Sequence, residues 1–500
     1  MNALNKINMD GNIFGIALNY KCLYQKLQPE FSAKPYLEEP KKPVLFIKPP
    51  NTRNTSGQPV FKKETDILQA GPTLGIVIGK STSRVTESDA LQHVAAYVVV
   101  NELSLPEDSY YRPAIKAKCQ DGFCVLGTPV AKEQVTDLND LGLRVYVNDE
   151  LKQQSTTAKW LRTPAQLIAE ISEYMPLNQG DIILTGTPLG RVDLQLGDQV
   201  RVEIDQLGAV SNVIQSEASE AAIAHHQQQV HPKNISLSSA RMARIRYAQQ
   251  IYQVEVQVDA ADPNAALQLK LPNGEWRQEQ EVQWLAPATG TMFALGLNYA
   301  DHARELAFEP PKQPLIFIKA PNTYTGHNSQ SWRPNDVEYL HYECELVAVI
   351  GKVAKNVKRE DALAYIAGYT LCNDYAIRDF LENYYRPNLR VKNRHSTTPV
   401  GPYLIDKSLL AAPNKLSLKT WVNGELRQQG STADMIFDVP FLVEYLSSFM
   451  TLQPGDMIAT GTPEGLSDVV PGDEVVVEIE GVGKLRNFIV SESTFFQQQT

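Results

Sequence analysis

Two rhythms of apolar and polar residues run along this chain. The run "LVAVI", Leu346 to Ile350, is unbroken, apolar and β-branched, the pattern of a strand buried on both faces. Strict alternation marks "ARIRYAQQIYQVEVQV" from Ala243, "LQLKLPNGEWR" from Leu267 and "EVQWL" from Glu281, with Pro272-Asn273-Gly274 as a turn. Apolar residues three and four apart predict helices in "REDALAYIAGYTLC" from Arg359 and "PFLVEYLSSFM" from Pro440. Asn423-Gly424 after Val422 predicts a hairpin turn, and "PGDEVVVEIEGVGKLRNFIV" from Pro471 predicts two strands around a glycine-rich turn. Many short strands and few covering helices predict an α+β fold, mainly β, of the roll type.

The pattern occurs twice. "VLFIKPPNT" from Val44 returns as "LIFIKAPNT" from Leu315, and "LGIVIGK" from Leu74 as "LVAVIGK" from Leu346. "YYRPAIKAK" from Tyr110 returns as "YYRPNLRVK" from Tyr384, "VNDELKQQSTTA" from Val147 as "VNGELRQQGSTA" from Val422, and "GDIILTGTPLG" from Gly180 as "GDMIATGTPEG" from Gly455. So long a repeat at a near-constant offset is a duplicated domain rather than a solenoid unit. Residues 1–215 and 286–500 are expected to be the two copies. Residues 216–238, polar and rich in Ala, Gln and Ser, read as a linker. The alternating segments at 239–285 read as a small β-module at the front of the second copy.

Composition narrows the class. A chain of 500 residues suits two or three domains, and 43% apolar with 21% charged residues suits a soluble globular protein. A net charge of -10 argues against nucleic-acid or anionic-membrane partners. No apolar run approaches the ~18 residues of a membrane span, and no basic-then-apolar leader opens the chain. Five cysteines do not suggest a disulfide framework, so a cytoplasmic location is expected. His225, His226 and His231 lie in the linker without matching ligands, and Cys119 and Cys124 lack partners at zinc spacing.

The candidate chemistry sits in "HYECELVAVIGK", where Glu343 and Glu345 share one face of a strand and Cys344 the other. Two such carboxylates repel by roughly 3 kcal/mol at an effective dielectric of 20, so water or a cation must compensate. Asp374, directly after the apolar "GYTLCN", adds a third acid; together they form a hard oxygen set suited to Mg²⁺ or Mn²⁺. His302 and Glu305, three apart in "GLNYADHARELAF", would share a helical face as an acid/base pair. The first copy loses most of this. Glu343 aligns with Gly71, Glu345 with Thr73, Asp374 with Glu102, His302 with Leu23 and Glu305 with Lys26. Lys319, Lys392 and Thr462 keep their counterparts Lys48, Lys118 and Thr187.

"GLNYADHARE", "FIKAPNT", "YECELVAVIGK", "GYTLCNDYAIRD", "NLRVKN" and "GDMIATGTPEG" together resemble the fumarylacetoacetate hydrolase family over residues 290–490. The resemblance implies tandem β-roll domains, the first degenerate and the second catalytic. It implies a divalent metal on Glu343, Glu345 and Asp374 and a catalytic His302–Glu305 pair. It further implies Lys392 offsetting developing oxyanion charge, with Arg378, Lys319 and Thr462 toward substrate carboxylates. For Lys319 a structural role, for Thr462 turn geometry, and for Arg378 a bystander's place on the surface are equal readings. The implied substrate is a small oxo-di- or tricarboxylate, decarboxylated and isomerised. Hydrolysis of acylpyruvates is the rival, weakened by Leu381 where the hydrolase has a water-orienting Gln. A non-catalytic oxo-acid-binding role is the other alternative. Duplication also implies an internal pseudo-dimer and leaves homo-oligomers open.

Overall fold

The computed structural model describes residues 7–219, 234–259, 262, 265–305, 309–410 and 412–497. Of the linker expected at 216–238, residues 220–233 lie outside the described residues, and His225, His226 and His231 with them. The chain forms two compact units. One comprises Met1–His231 with Glu382–Asn388, and the other Pro232–Leu381 with Leu389–Thr500.

In the second unit the apolar run is the centre of the larger sheet. Strand Cys344–Ile350 is buried at every position and lies between Ile366–Asn373 and Met457–Ala459, both antiparallel to it. Outward from these, Thr398–Asp406 pairs with Ile366–Asn373, and Met292–Gly296 with Leu315–Lys319 extends the other edge. Met292, Val347, Val349, Cys372, Val400 and Met457 form one apolar cluster across these strands. The alternating segments at 239–285 form strands Arg241–Tyr247, Gln250–Gln257, Gln268–Lys270, Trp276–Gln278 and Gln283–Leu285. Through Arg241↔Ile405 and Met242↔Leu404 they continue the same sheet.

A second sheet has the order Ser329–Arg333, Gly483–Ser491, Glu474–Ile479, Ser417–Val422, Glu425–Ser431. Its hairpin turns at Asn423 and Gly424, with φ of 51° and 80°, as a two-residue turn matched to strand twist requires. Helix Val439–Ser447 begins at Asp438, whose carboxylate accepts the N–H of Phe441 at 2.9 Å.

The helix expected from Arg359 is not formed. A short 3₁₀ stretch, Arg359–Tyr365, gives way to the strand Ile366–Asn373, buried throughout. An apolar segment enclosed on both sides satisfies a helical and a strand pattern alike, and Ile366, Tyr369 and Thr370 favour the strand. Gly368 adds a steric reason, because a Cβ there would lie 2.0 Å from the carbonyl oxygen of Ile405 on the adjacent strand.

The first unit repeats the strand order of the larger sheet. Val44–Lys48, Ile13–Ala17, Ile182–Leu184, Pro72–Ile78, Val94–Glu102 and Cys124–Leu126 follow the order of their counterparts. Its second sheet runs Glu150–Thr156, Gly142–Val147, Gln199–Ile204, Gly208–Ser216, Val60–Lys62. Bulges recur at the same places, between Val77 and Ile78 and between Val349 and Ile350. Among the described residues, no helix is long and apolar enough to cross a membrane.

Because the neighbour at Gly368 is backbone, it cannot yield as a side-chain tip would. Gly368→Ala is expected to lower unfolding free energy in urea by about 1–3 kcal/mol or more. Wild-type stability in that variant would show that this close approach does not set the strand spacing.

Candidate active site

Antiparallel pairing places the acids together. Cys344 pairs with Asn373, so the residue before one strand, Glu343, and the residue after the other, Asp374, share one sheet end. Glu343 carbonyl oxygen accepts the N–H of Asp374 at 2.9 Å, and Asn373 Oδ1 accepts the N–H of Glu343 at 2.9 Å. Glu345 follows on the same face. One carboxylate oxygen from each of Glu343, Glu345 and Asp374 lies within 4.8 Å of the other two, and all three residues are buried.

Two lysines enter this corner from other elements. Lys319, the last residue of its strand and wholly buried, forms an ion pair with Asp374 Oδ1. Lys392, at the end of the short helix Leu389–Lys392, donates to Glu343 Oε2 at 2.7 Å and to Asp374 Oδ2 at 2.8 Å. Arg378 Nη2 is 3.7 Å from Glu343 Oε1, while its Nε donates to His341 Nδ1 at 3.1 Å. The ammonium groups reach Glu343 and Asp374. Glu345 receives only the N–H of Gly461, at 2.9 Å on Oε2, and its buried Oε1 has no hydrogen-bond partner among the described residues.

The titration behaviour reflects this division. Burial, reinforced by Asp374 and Glu343, pushes the Glu345 carboxyl well above the usual range. Burial would also raise Asp374, but Lys319 and Lys392 hold it below that range. Burial would lower Lys392, and the surrounding carboxylates raise it instead. An all-oxygen donor set with one orphaned buried acceptor fits a hard divalent cation, which would supply the charge that Glu345 lacks.

His302 and Glu305 lie on the helix Ala300–Glu305, with Nδ1 and Oε2 2.9 Å apart. Residues 306–308, which continue the motif, are outside the described residues. Glu305 Oε1 accepts the N–H groups of Gly465 and Leu466 at 3.1 and 3.3 Å. Burial would raise this carboxyl, but the hydrogen bonds from His302 and Gly465 bring it below its ordinary value. Thr462, next to Gly461, accepts a hydrogen bond from Gln428 Nε2 at 2.9 Å, and the same amide donates to Pro463 oxygen at 2.9 Å. Leu381 caps the 3₁₀ turn Arg378–Phe380. His341, Gly461 and Gln428 were not singled out from sequence. For His341 a signal existed, since it precedes Glu343 by two positions, the strand repeat that linked Glu343 to Glu345.

The family description that matches this chain is that of the fumarylacetoacetate (FAA) hydrolase C-terminal domain, over residues 12–215 and again over 291–490. The chain belongs to the fumarylacetoacetate hydrolase family. Its members depend on a divalent metal. The chain is 48% identical over 486 residues to the 4-hydroxyphenylacetate degradation bifunctional isomerase/decarboxylase of Salmonella dublin, covering 97% of this chain and 100% of the relative. It is 47% identical, with the same coverage, to the homoprotocatechuate catabolism bifunctional isomerase/decarboxylase of Escherichia coli. Among solved structures, the 5-carboxymethyl-2-hydroxymuconate delta-isomerase of Mycobacterium smegmatis is 34% identical, with a TM-score of 0.44, covering 50% of this chain and 99% of that one.

The first copy of this family fold arranges its counterpart residues differently. Lys48 Nζ is 2.9 Å and Lys118 Nζ 3.6 Å from Glu102 Oε1. Arg191 binds the other oxygen of Glu102 and donates to its carbonyl oxygen at 2.7 Å. Burial would raise the Glu102 carboxyl, but Arg191, Lys118 and Lys48 hold it at about 2. Its folded value lies below the ordinary 4.5, so its stabilising contribution is complete above pH 4.5 and is lost as pH falls toward 2. Unfolding measured across that window is expected to show a steeper acid loss in the wild type than in Glu102→Gln. Equal slopes would mean that the folded protein takes up a proton at Glu102 as readily as the unfolded chain.

Proposed function

We propose that this chain is the bifunctional enzyme of 4-hydroxyphenylacetate catabolism. It decarboxylates 5-oxopent-3-ene-1,2,5-tricarboxylate and isomerises the resulting 2-hydroxyhepta-2,4-diene-1,7-dioate. The observation that carries the reading is end-to-end likeness at 48% identity to a relative of that name, both copies included. The buried acidic corner of the second copy supports it. In this reading Glu343, Glu345 and Asp374 hold Mg²⁺ or Mn²⁺. Held there, the ion would supply Lewis acidity toward the keto-acid end of the substrate.

The side chains account for the remaining work. When the bond to the departing carboxylate breaks, its electron pair runs through the conjugated enone to the keto oxygen. Lys392, charged and buried, offsets the charge gathering there. Lys319 fixes Asp374 through their ion pair. Glu305 accepts from His302 Nδ1–H, which fixes the ring and leaves Nε2 to take a proton from the dienol and return it to carbon, giving the 2-oxo-3-ene dioate. Arg378 clamps a remote carboxylate. The Thr462 oxygen already accepts from Gln428, so its O–H remains to donate to the substrate. Leu381 cannot orient a hydrolytic water. Five cysteines, all free, accord with a cytoplasmic setting.

Given the tricarboxylate and Mg²⁺, the purified chain is expected to release CO₂, to stop in EDTA and to recover with Mg²⁺ or Mn²⁺. Glu343→Gln and Glu345→Gln are each expected to lower kcat by ~100-fold or more, about 2.7 kcal/mol of barrier, and to weaken Mn²⁺ binding followed by its electron spin resonance. Undiminished turnover in EDTA would remove the metal role. Pyruvate release from an acylpyruvate, without CO₂ release from the tricarboxylate, would identify a hydrolase instead.

A further inference from the structure

The first copy contains a cavity of about 290 Å³ whose lining includes Leu18, Phe46, Thr73, Tyr110, Lys118 and Arg191. Its buried lining charges are Lys118 and Arg191 with Glu102 and Glu107. Lys48, which also holds Glu102, lies behind them and donates to the carbonyl oxygens of Leu103, Lys118 and Phe123 at 2.9, 2.9 and 2.7 Å. Glu107 is engaged on both oxygens, by Lys118 Nζ at 2.7 Å and by the hydroxyl of Tyr385 at 2.5 Å. With Lys48 satisfied by those carbonyls and Lys118 by Glu107, Arg191 is the cation of the three that borders the cavity with donors to spare.

Arg191 lies in the space beside Gly71. A Cβ on Gly71, the counterpart of Glu343, would lie 2.5 Å from Arg191 Nη1 and 2.8 Å from both the Glu102 carbonyl oxygen and Thr187 Cγ2. The guanidinium thus fills the space a side chain at position 71 would need, and it binds Glu102, the counterpart of Asp374. Its hydrogen bonds to Glu102 oxygen, Glu102 Oε2 and Thr187 Oγ1 are three, against five N–H donors in a guanidinium. The side chain keeps 19% exposure beside the cavity, so the remaining donors have an outlet. Ile16, Leu18, Leu23 and Phe46 supply the apolar part of the lining, with Lys118 Nζ 4.7 Å from the centre of the Phe46 ring. Leu23 and Lys26 stand where the second copy has His302 and Glu305, so the cavity lacks that acid/base pair.

We propose that the first copy is a metal-independent binding site for a small aliphatic carboxylate, with Arg191 taking the role that a divalent ion has in the second. The carboxylate pairs with the fork of Arg191, and its carbon chain lies against Leu18 and Phe46. Binding occurs there without turnover. The assignment stands whether or not the second copy performs the proposed reaction.

The test is calorimetric titration of the full-length chain in EDTA with succinate and 2-oxoglutarate, and with neutral succinamide as control. Both acids are expected to bind and succinamide not to. Affinity should be unchanged in Glu343→Gln and about tenfold weaker or worse in Arg191→Leu, the loss of one charge-assisted contact. Should Arg191→Leu fail to fold, Arg191→Lys retains the charge beside Glu102 but loses the fork, and the same weakening is expected. Absence of binding in EDTA, equal binding of succinamide, or undiminished affinity in the folded Arg191 variant would each overturn the proposal.

Discussion

Like charges crowded into a dry corner dominate this protein. Three carboxylates within 4.8 Å of one another cannot all remain ionised in a low dielectric unless positive charge is brought to them. The sheet forces the crowding, because pairing of Cys344 with Asn373 leaves Glu343 and Asp374 no separate directions in which to point. Lys319 and Lys392 answer part of the demand, each delivered by an element remote in sequence. The unanswered part falls on Glu345, one of whose buried oxygens has no hydrogen-bond partner among the described residues.

The two copies meet the same constraint in opposite ways. The second keeps three acids within 4.8 Å of one another and, among the described residues, leaves one buried oxygen of Glu345 without a partner. The first removes two of the three acids and brings a covalently attached cation, Arg191, to the one that remains. Both retain the lysine at the end of the second family strand, Lys48 or Lys319, fully buried in each case. The scaffold evidently needs that ammonium wherever an acid stays at position 102 or 374, whatever chemistry surrounds it.

Much of this was legible from residue order, and the reasons for the rest are physical. Duplication, the strand at Leu346 and the acidic trio could be read because strand periodicity and repetition are local properties. The segment from Arg359 was misjudged because an apolar stretch enclosed on both sides carries no period, and only the approach of Ile405 to Gly368 decides for the strand. His341 was within reach of the same two-residue repeat and was overlooked. Arg191 was beyond reach, since a long side chain leaving a turn can serve many neighbours and its aligned partner, Leu466, offers no hint of charge. The sharing of Thr462 with Gln428 depends on two distant segments meeting and has no sequence signature.

The interlock between Gly71 and Arg191 has an evolutionary consequence. Reintroducing an acid at position 71 while the guanidinium is present meets a steric clash, and discarding the guanidinium first weakens the hold on Glu102. Neither single change gives the arrangement of the second copy, so the two positions are epistatic. A side chain at position 71 must also clear the carbonyl oxygen of Glu102, 2.8 Å from where its Cβ would lie, so the first copy's departure from its twin is entrenched by the backbone as well as by Arg191.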